Sequence, residues 1–93
     1  MLNQMLFVMS ESLDAIEEAI LSKMLDKGII GMHYKPIKLL ENTLKFKELN
    51  PRGNFKKILR KLANYGLISD HGKSGEVASL TQDGVKYAES LIE

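Results

Sequence analysis

Apolar positions along the chain recur with a helical period in four stretches and give way to two short strand-like runs near residue 70. Leu13, Ile16, Ile20 and Met24 form the first stripe. Ser10 or Ser12 is placed to cap that helix, and Glu11 and Asp14 suit its positive end. Lys27 and Gly28 supply a basic last turn and a glycine stop. Ile29 to Tyr34 reads as an edge strand or an extended link. Pro36 suits the first turn of a second helix, whose inner stripe is Ile37, Leu40 and Leu44. Lys45 to Leu49 is too short for much structure, and Asn50-Pro51-Arg52-Gly53-Asn54 is a dense turn signal. Asn50 or Asn54 caps a third helix that runs to about Tyr65 and stops at Gly66. Leu67–His71 and Glu76–Leu80 then read as two strands joined by Gly72-Lys73-Ser74-Gly75. Thr81 caps a last helix with Asp83 in its first turn and Val85, Ala88, Leu91 and Ile92 on its inner side. The pattern predicts an α+β, mainly helical fold: a three-helix core, a β-hairpin and a C-terminal helix. Two helices joined by a turn and followed at once by a hairpin are the plan of a winged helix-turn-helix.

Ninety-three residues make one domain, with residues 1–9 an apolar extension at its start. The chain has no cysteine, so disulfides and thiolate metal sites are excluded. No run approaches the roughly 18 apolar residues of a membrane span. The apolar start lacks a basic flank and a small-residue cleavage site, which argues against a targeting segment and fits a cytoplasmic protein.

The net charge of +1 conceals a strong segregation. Residues 1–26 set Glu11, Asp14, Glu17, Glu18 and Asp26 against Lys23 alone. Residues 27–61 carry ten Lys or Arg against Glu41 and Glu48. Residues 62–93 set Lys73 and Lys86 against Asp70, Glu76, Asp83, Glu89 and Glu93. A basic middle between acidic ends points to a polyanion-binding face.

The third helix sharpens that expectation. At roughly 100° per residue, Phe55, Ile58, Leu59 and Leu62 fall on one side. Arg52, Lys56 and Arg60 fall opposite, with Lys57, Lys61 and Asn64 beside them. Lys45 and Lys47 precede this helix, Asn54 stands at its start, and Lys73 occupies the hairpin tip. A helix with one apolar and one basic face can rest on a core and enter a major groove, where lysine neutralises phosphates and arginine grips guanine. The nucleic-acid-binding residues expected from the sequence are therefore Lys45, Lys47, Arg52, Asn54, Lys56, Lys57, Arg60, Lys61 and Lys73.

Other chemistry finds little support. Gly72-Lys73-Ser74 would belong to a phosphate-binding loop only with glycine at position 67, which is Leu67. His33 and His71 are the only histidines and lack a metal-ligand spacing. No nucleophile–base pair stands out, so neither enzymatic activity nor a cofactor is expected.

Leu59-Arg60-Lys61-Leu62-Ala63-Asn64-Tyr65-Gly66-Leu67-Ile68, the glycine-containing hairpin, and Leu80-Thr81-Gln82-Asp83-Gly84-Val85-Lys86-Tyr87-Ala88 resemble winged-helix transcription regulators of bacteria and archaea. The stretch from Tyr34-Lys35-Pro36 to Leu80-Thr81 also resembles the winged-helix domain that precedes the kinase domain in the Rio kinase family. The likeness covers Ile16 to Leu91. It implies a small transcriptional regulator that binds double-stranded DNA as a homodimer. The Rio likeness implies RNA or ribonucleoprotein binding instead, and a protein-interaction module is a third reading. Met1, Leu2, Met5, Leu6 and Met9 share one helical stripe, which would suit dimerisation together with the last helix around Leu91 and Ile92.

Overall fold

The computed structural model describes residues 13–71 and 76–92. The element order is α1 (Ala15–Asp26), β1 (Lys35–Pro36), α2 (Ile37–Thr43), α3 (Phe46–Leu49), α4 (Phe55–Asn64), β2 (Ile68–His71), β3 (Val77–Leu80) and α5 (Gln82–Ile92). The described part is thus α+β and mainly helical, with five helices and a three-stranded antiparallel sheet of order β1-β3-β2.

The cap of α1 is neither Ser10 nor Ser12, which lie outside the described residues. Asp14 takes that role, because Glu17 completes a reciprocal capping box with it. The Asp14 carboxylate accepts from the Glu17 N–H, and Glu17 Oε1 accepts from the Asp14 N–H, both at 2.9 Å. Ile20 and Met24 are fully buried, as the stripe requires, and Leu21 joins them. Gly28 ends the helix as expected.

Between Ile29 and Tyr34, only Ile30 pairs, through an isolated parallel bridge to Leu80. The edge strand comes just after, where Lys35 and Pro36 lie opposite Ala78 and Val77 of β3. Pro36 therefore stands one place before the helix rather than in its first turn. Its lack of an N–H is tolerable on an edge strand.

The segment Lys45–Leu49 holds more structure than its length suggests. It forms the single-turn α3, and Phe46 is fully buried with its ring 4.9 Å from that of Phe55. Asn54, not Asn50, caps α4 by accepting from the Lys57 N–H at 3.1 Å. Helix α4 ends as the sequence implies. Gly66 adopts φ +78°, and the Leu67 N–H returns to the Leu62 carbonyl.

Strands β2 and β3 pair from Ile68–Leu80 to His71–Val77. The hairpin tip, Lys73 included, lies outside the described residues. Thr81 caps α5 as expected. Its hydroxyl donates to the Gly66 carbonyl at 2.6 Å and accepts from the Gly84 N–H at 3.0 Å. On the expected inner side of α5, Ala88 is buried and Val85 packs against the core, but the end of the helix is exposed. Gly84 and Ala88 are buried, whereas Leu91 is 36% and Ile92 70% exposed. Small residues face inward because α5 lies so close to its neighbours.

Glycine does different work at positions 66 and 84. A side chain at Gly66 would meet nothing within 4 Å, so only its left-handed backbone matters. A Cβ at Gly84 would collide with the backbone carbonyl of Leu67, which has nowhere to move. Gly66→Ala is expected to cost about 1 kcal/mol of stability. Gly84→Ala is expected to cost about 3 kcal/mol or more by overpacking. Urea denaturation of the two variants checks the ranking, and equal losses would contradict it.

Candidate nucleic-acid interface

Helix α4 carries the basic face. Phe55, Leu59 and Leu62 are buried and Ile58 is partly so, while Lys56, Lys57, Arg60, Lys61 and Asn64 are exposed. Two separate devices fix this rotation. The Asn54 cap and the Phe46–Phe55 ring contact hold the start, and Leu59 and Leu62 anchor the rest in the core. The helical wheel cannot be extended back to Arg52, because the helix begins at Phe55. Arg52 lies in the preceding turn, where it is exposed.

Two adjoining hollows gather the cations. A shallow one is lined by Asn54, Lys56, Lys57 and Arg60. A cleft of about 770 Å³ opens beside it between α2 and the start of α4, where Arg52, Asn54 and Lys56 meet Pro36, Ile37, Lys38 and Glu41. Asn54 and Lys56 belong to both, so the surface reads as one strip from Lys38 through Arg52 and Lys56 to Lys57 and Arg60. Among the described residues Arg52, Lys56, Lys57 and Arg60 make no ion pair. Glu41 and Glu76 line the cleft too and bound the positive strip on that side.

Lys38 was absent from the residues expected from sequence. Lys38 belongs to the basic stretch of residues 27–61, but the period of the third helix does not reach it. Lys45 and Lys47 are exposed around α3 and line neither hollow. Lys45 holds a left-handed backbone, φ 54°, where the chain turns from α2 into α3.

Lys61 is engaged elsewhere. Its ammonium lies 2.9 Å from Glu17 Oε2, and Glu17 is buried. That hydrogen bond raises the Lys61 pKa above its ordinary value, against a smaller opposing effect of desolvation. A raised lysine pKa stabilises the folded chain below the unfolded value of about 10.4 and ceases to do so as pH climbs through the folded one. The pair is therefore intact on the lysine side throughout the neutral range. Its energetic weight is modest, since the Lys61 side chain is 44% exposed to solvent.

Among the described residues no three His, Asp or Glu side chains cluster in a way that would hold a metal ion. No helix of the described residues is long and apolar enough to cross a membrane. Comparisons of the chain with family models, with curated proteins and with solved structures give no match.

The two faces of α4 are separable by mutation. Arg60→Ala and Lys56→Ala are expected to change stability by no more than about 0.5 kcal/mol. Leu59→Ala, which empties a core position, is expected to cost about 2–5 kcal/mol. Thermal or urea unfolding checks both, and a destabilising Arg60→Ala beside a harmless Leu59→Ala would refute the assigned rotation.

Proposed function

We propose that this domain is a winged helix-turn-helix that binds double-stranded DNA as a small transcriptional regulator. In this reading α4 enters the major groove, the β2–β3 hairpin is the wing, and α3 braces the start of α4 through Phe46 against Phe55. The order of α2, α4, hairpin and α5 supports it, as does the pairing of β1 with β3 on the side away from β2. The connection between α2 and α4, with α3 inside it, is longer than the three or four residues of a minimal helix-turn-helix.

The observation that carries the reading is the charge on α4. Lys56, Lys57 and Arg60 stand in water without acidic partners, on the helix directly before the hairpin and opposite its buried stripe. Solvated helix faces ordinarily mix acids and bases. This one has only bases, which suits a phosphate backbone, and Arg60 with Asn54 provides base-reading donors.

Duplex binding is expected to be steeply salt-dependent. Neutralising roughly four to six phosphates per protomer gives a slope of log K against log salt of about −4 to −5. Fluorescence anisotropy on a duplex panel, with structured RNA in parallel, measures this. Tighter binding to RNA would move the function to a ribonucleoprotein partner. A lack of binding to either at low salt would point to an acidic protein partner, and a flat salt response would remove the electrostatic basis altogether.

The regulator is proposed to act as a homodimer. Leu80 bonds Ile29 while the Tyr87 hydroxyl donates to Glu18 at 3.3 Å, so α5 runs antiparallel to α1. Exposed Leu91 and Ile92 thereby come near the start of α1, on the side of the chain that carries the apolar residues 1–9. Burying large apolar side chains there would gain roughly 1.5–3 kcal/mol each. Light scattering on the full chain should give a dimer, and on a chain starting at Ser10 a monomer. A full-length monomer at tens of micromolar overturns the dimer, and a dimeric shortened chain moves the interface to α5.

A further inference from the structure

Glu17 is the one charged side chain buried among the described residues. Both of its oxygens are committed. Oε1 accepts the Asp14 N–H within the α1 capping box, and Oε2 holds Lys61 at 2.9 Å. The carboxylate is thus held to the first turn of α1 independently of Lys61, and the last turn of α4 is tied to it. Lys61 lies on the flank of α4 between the buried stripe and the Lys56–Arg60 face, and the other cations of that helix make no ion pair. A carboxylate on this flank does two things at once. It removes one positive charge from those available to a polyanion, and it resists rotation of α4 about its axis. The start of the helix is restrained by Asn54 and Phe55 and its end by buried Leu62 and by the Thr81 bond to the Gly66 carbonyl, and the Glu17–Lys61 pair adds a polar tie from α1 to the last turn of α4.

We propose that Glu17 withholds Lys61 from the polyanion face and uses it to set the rotation of α4, which makes the pair a determinant of selectivity between duplexes. The inference rests on the reading of α4 as a DNA-contacting helix. Lys61 is then a positioning residue, although its sequence context places it with the phosphate-binding lysines. A side chain that sets rotation changes which bases the neighbouring Arg60 and Lys57 meet. It leaves the number of phosphates neutralised unaltered.

The test uses the full chain and two duplexes, one enriched from random sequence by the native protein and one scrambled. Salt-dependent anisotropy and amide hydrogen exchange are measured for the native chain and for Lys61→Met, Lys61→Arg, Glu17→Gln and Lys56→Met. The Lys56→Met variant should lose about 0.9 of the salt slope, the value of one phosphate contact. Lys61→Met should leave the slope unchanged. Glu17→Gln should steepen it by up to about 0.9, because the freed ammonium joins the polyanion face. Both Lys61→Met and Glu17→Gln should lower the preference for the enriched duplex about fivefold, the lower end of what one base-reading contact supplies. Lys61→Arg should retain the preference. Exchange of the amides from Lys61 to Tyr65 should quicken in Lys61→Met and Glu17→Gln and not in Lys56→Met.

A slope loss in Lys61→Met equal to that of Lys56→Met overturns the proposal, since Lys61 would then be a phosphate contact. Unchanged preference and unchanged exchange in both pair-breaking variants overturn it as well. If the native chain binds no duplex at all, the DNA reading fails and takes the selectivity role with it. That result is distinct from failure of this inference alone, in which the native chain binds and Lys56→Met behaves as stated.

Discussion

The backbone of Leu80 is the point on which the rest of the structure depends. Its side chain is fully buried, its N–H reaches the Ile29 carbonyl, its carbonyl accepts from Gly31, and it lies opposite Ile68 in β2. One residue thus joins the segment after α1, the hairpin and the start of α5. The next residue, Thr81, bonds the Leu67 carbonyl through its N–H and the Gly66 carbonyl through its hydroxyl. The end of α4 is therefore fastened to the same place. Backbone groups withdrawn from water need partners, and here the partners come from two segments distant in sequence, residues 29–31 and 66–67, which are thereby held to the same strand end.

That arrangement decides where the charge goes. Between the Asn54 start and the Gly66 turn of α4, the buried stripe faces the core. Phe55, Leu59 and Leu62 fill the core, and Lys56, Lys57 and Arg60 are left in water. Arg52 and Lys38 join them through the turn before α4 and the first turn of α2. The positive strip is in this sense a by-product of packing, assembled from three segments by contacts that involve none of its own side chains.

Local signals were legible in the sequence and distant ones were not. Gly28, Gly66 and Thr81 were readable because their roles depend on a few neighbouring residues, and the stripe of α4 was readable because it is periodic. The cap of α1 misled because serine before an apolar run is a good cap. Asp14 wins through a partner, Glu17, three residues on. Pro36 suggested a first turn, but β3, forty residues away, claims it for an edge strand. Phe46 had no periodic company to mark it as core. Leu91 and Ile92 share the helical face of buried Ala88 but stand at the end of α5, where they are exposed. The role of Lys61 depended on a carboxylate forty-four positions earlier, and nothing in the basic run around it distinguished it from Lys57.

The segregation of charge has a consequence for how the molecule behaves in bulk solution. Asp14, Asp26, Asp83 and Glu89 are exposed on or beside α1 and α5, which pack on each other, while most of the exposed cations among the described residues lie on α2 and α4 and between them, Lys27, Lys35 and Lys86 excepted. A body of net charge +1 so divided carries a positive and a negative side. Copies attract one another head to tail when few ions are present, and added electrolyte shields that attraction over about 10 Å at 0.1 M. Solubility should therefore rise with the first additions of salt, the reverse of what uniform like-charge repulsion would give. An ion exchanger would sense the face turned toward it, so retention on a cationic or an anionic resin would report orientation more than net charge.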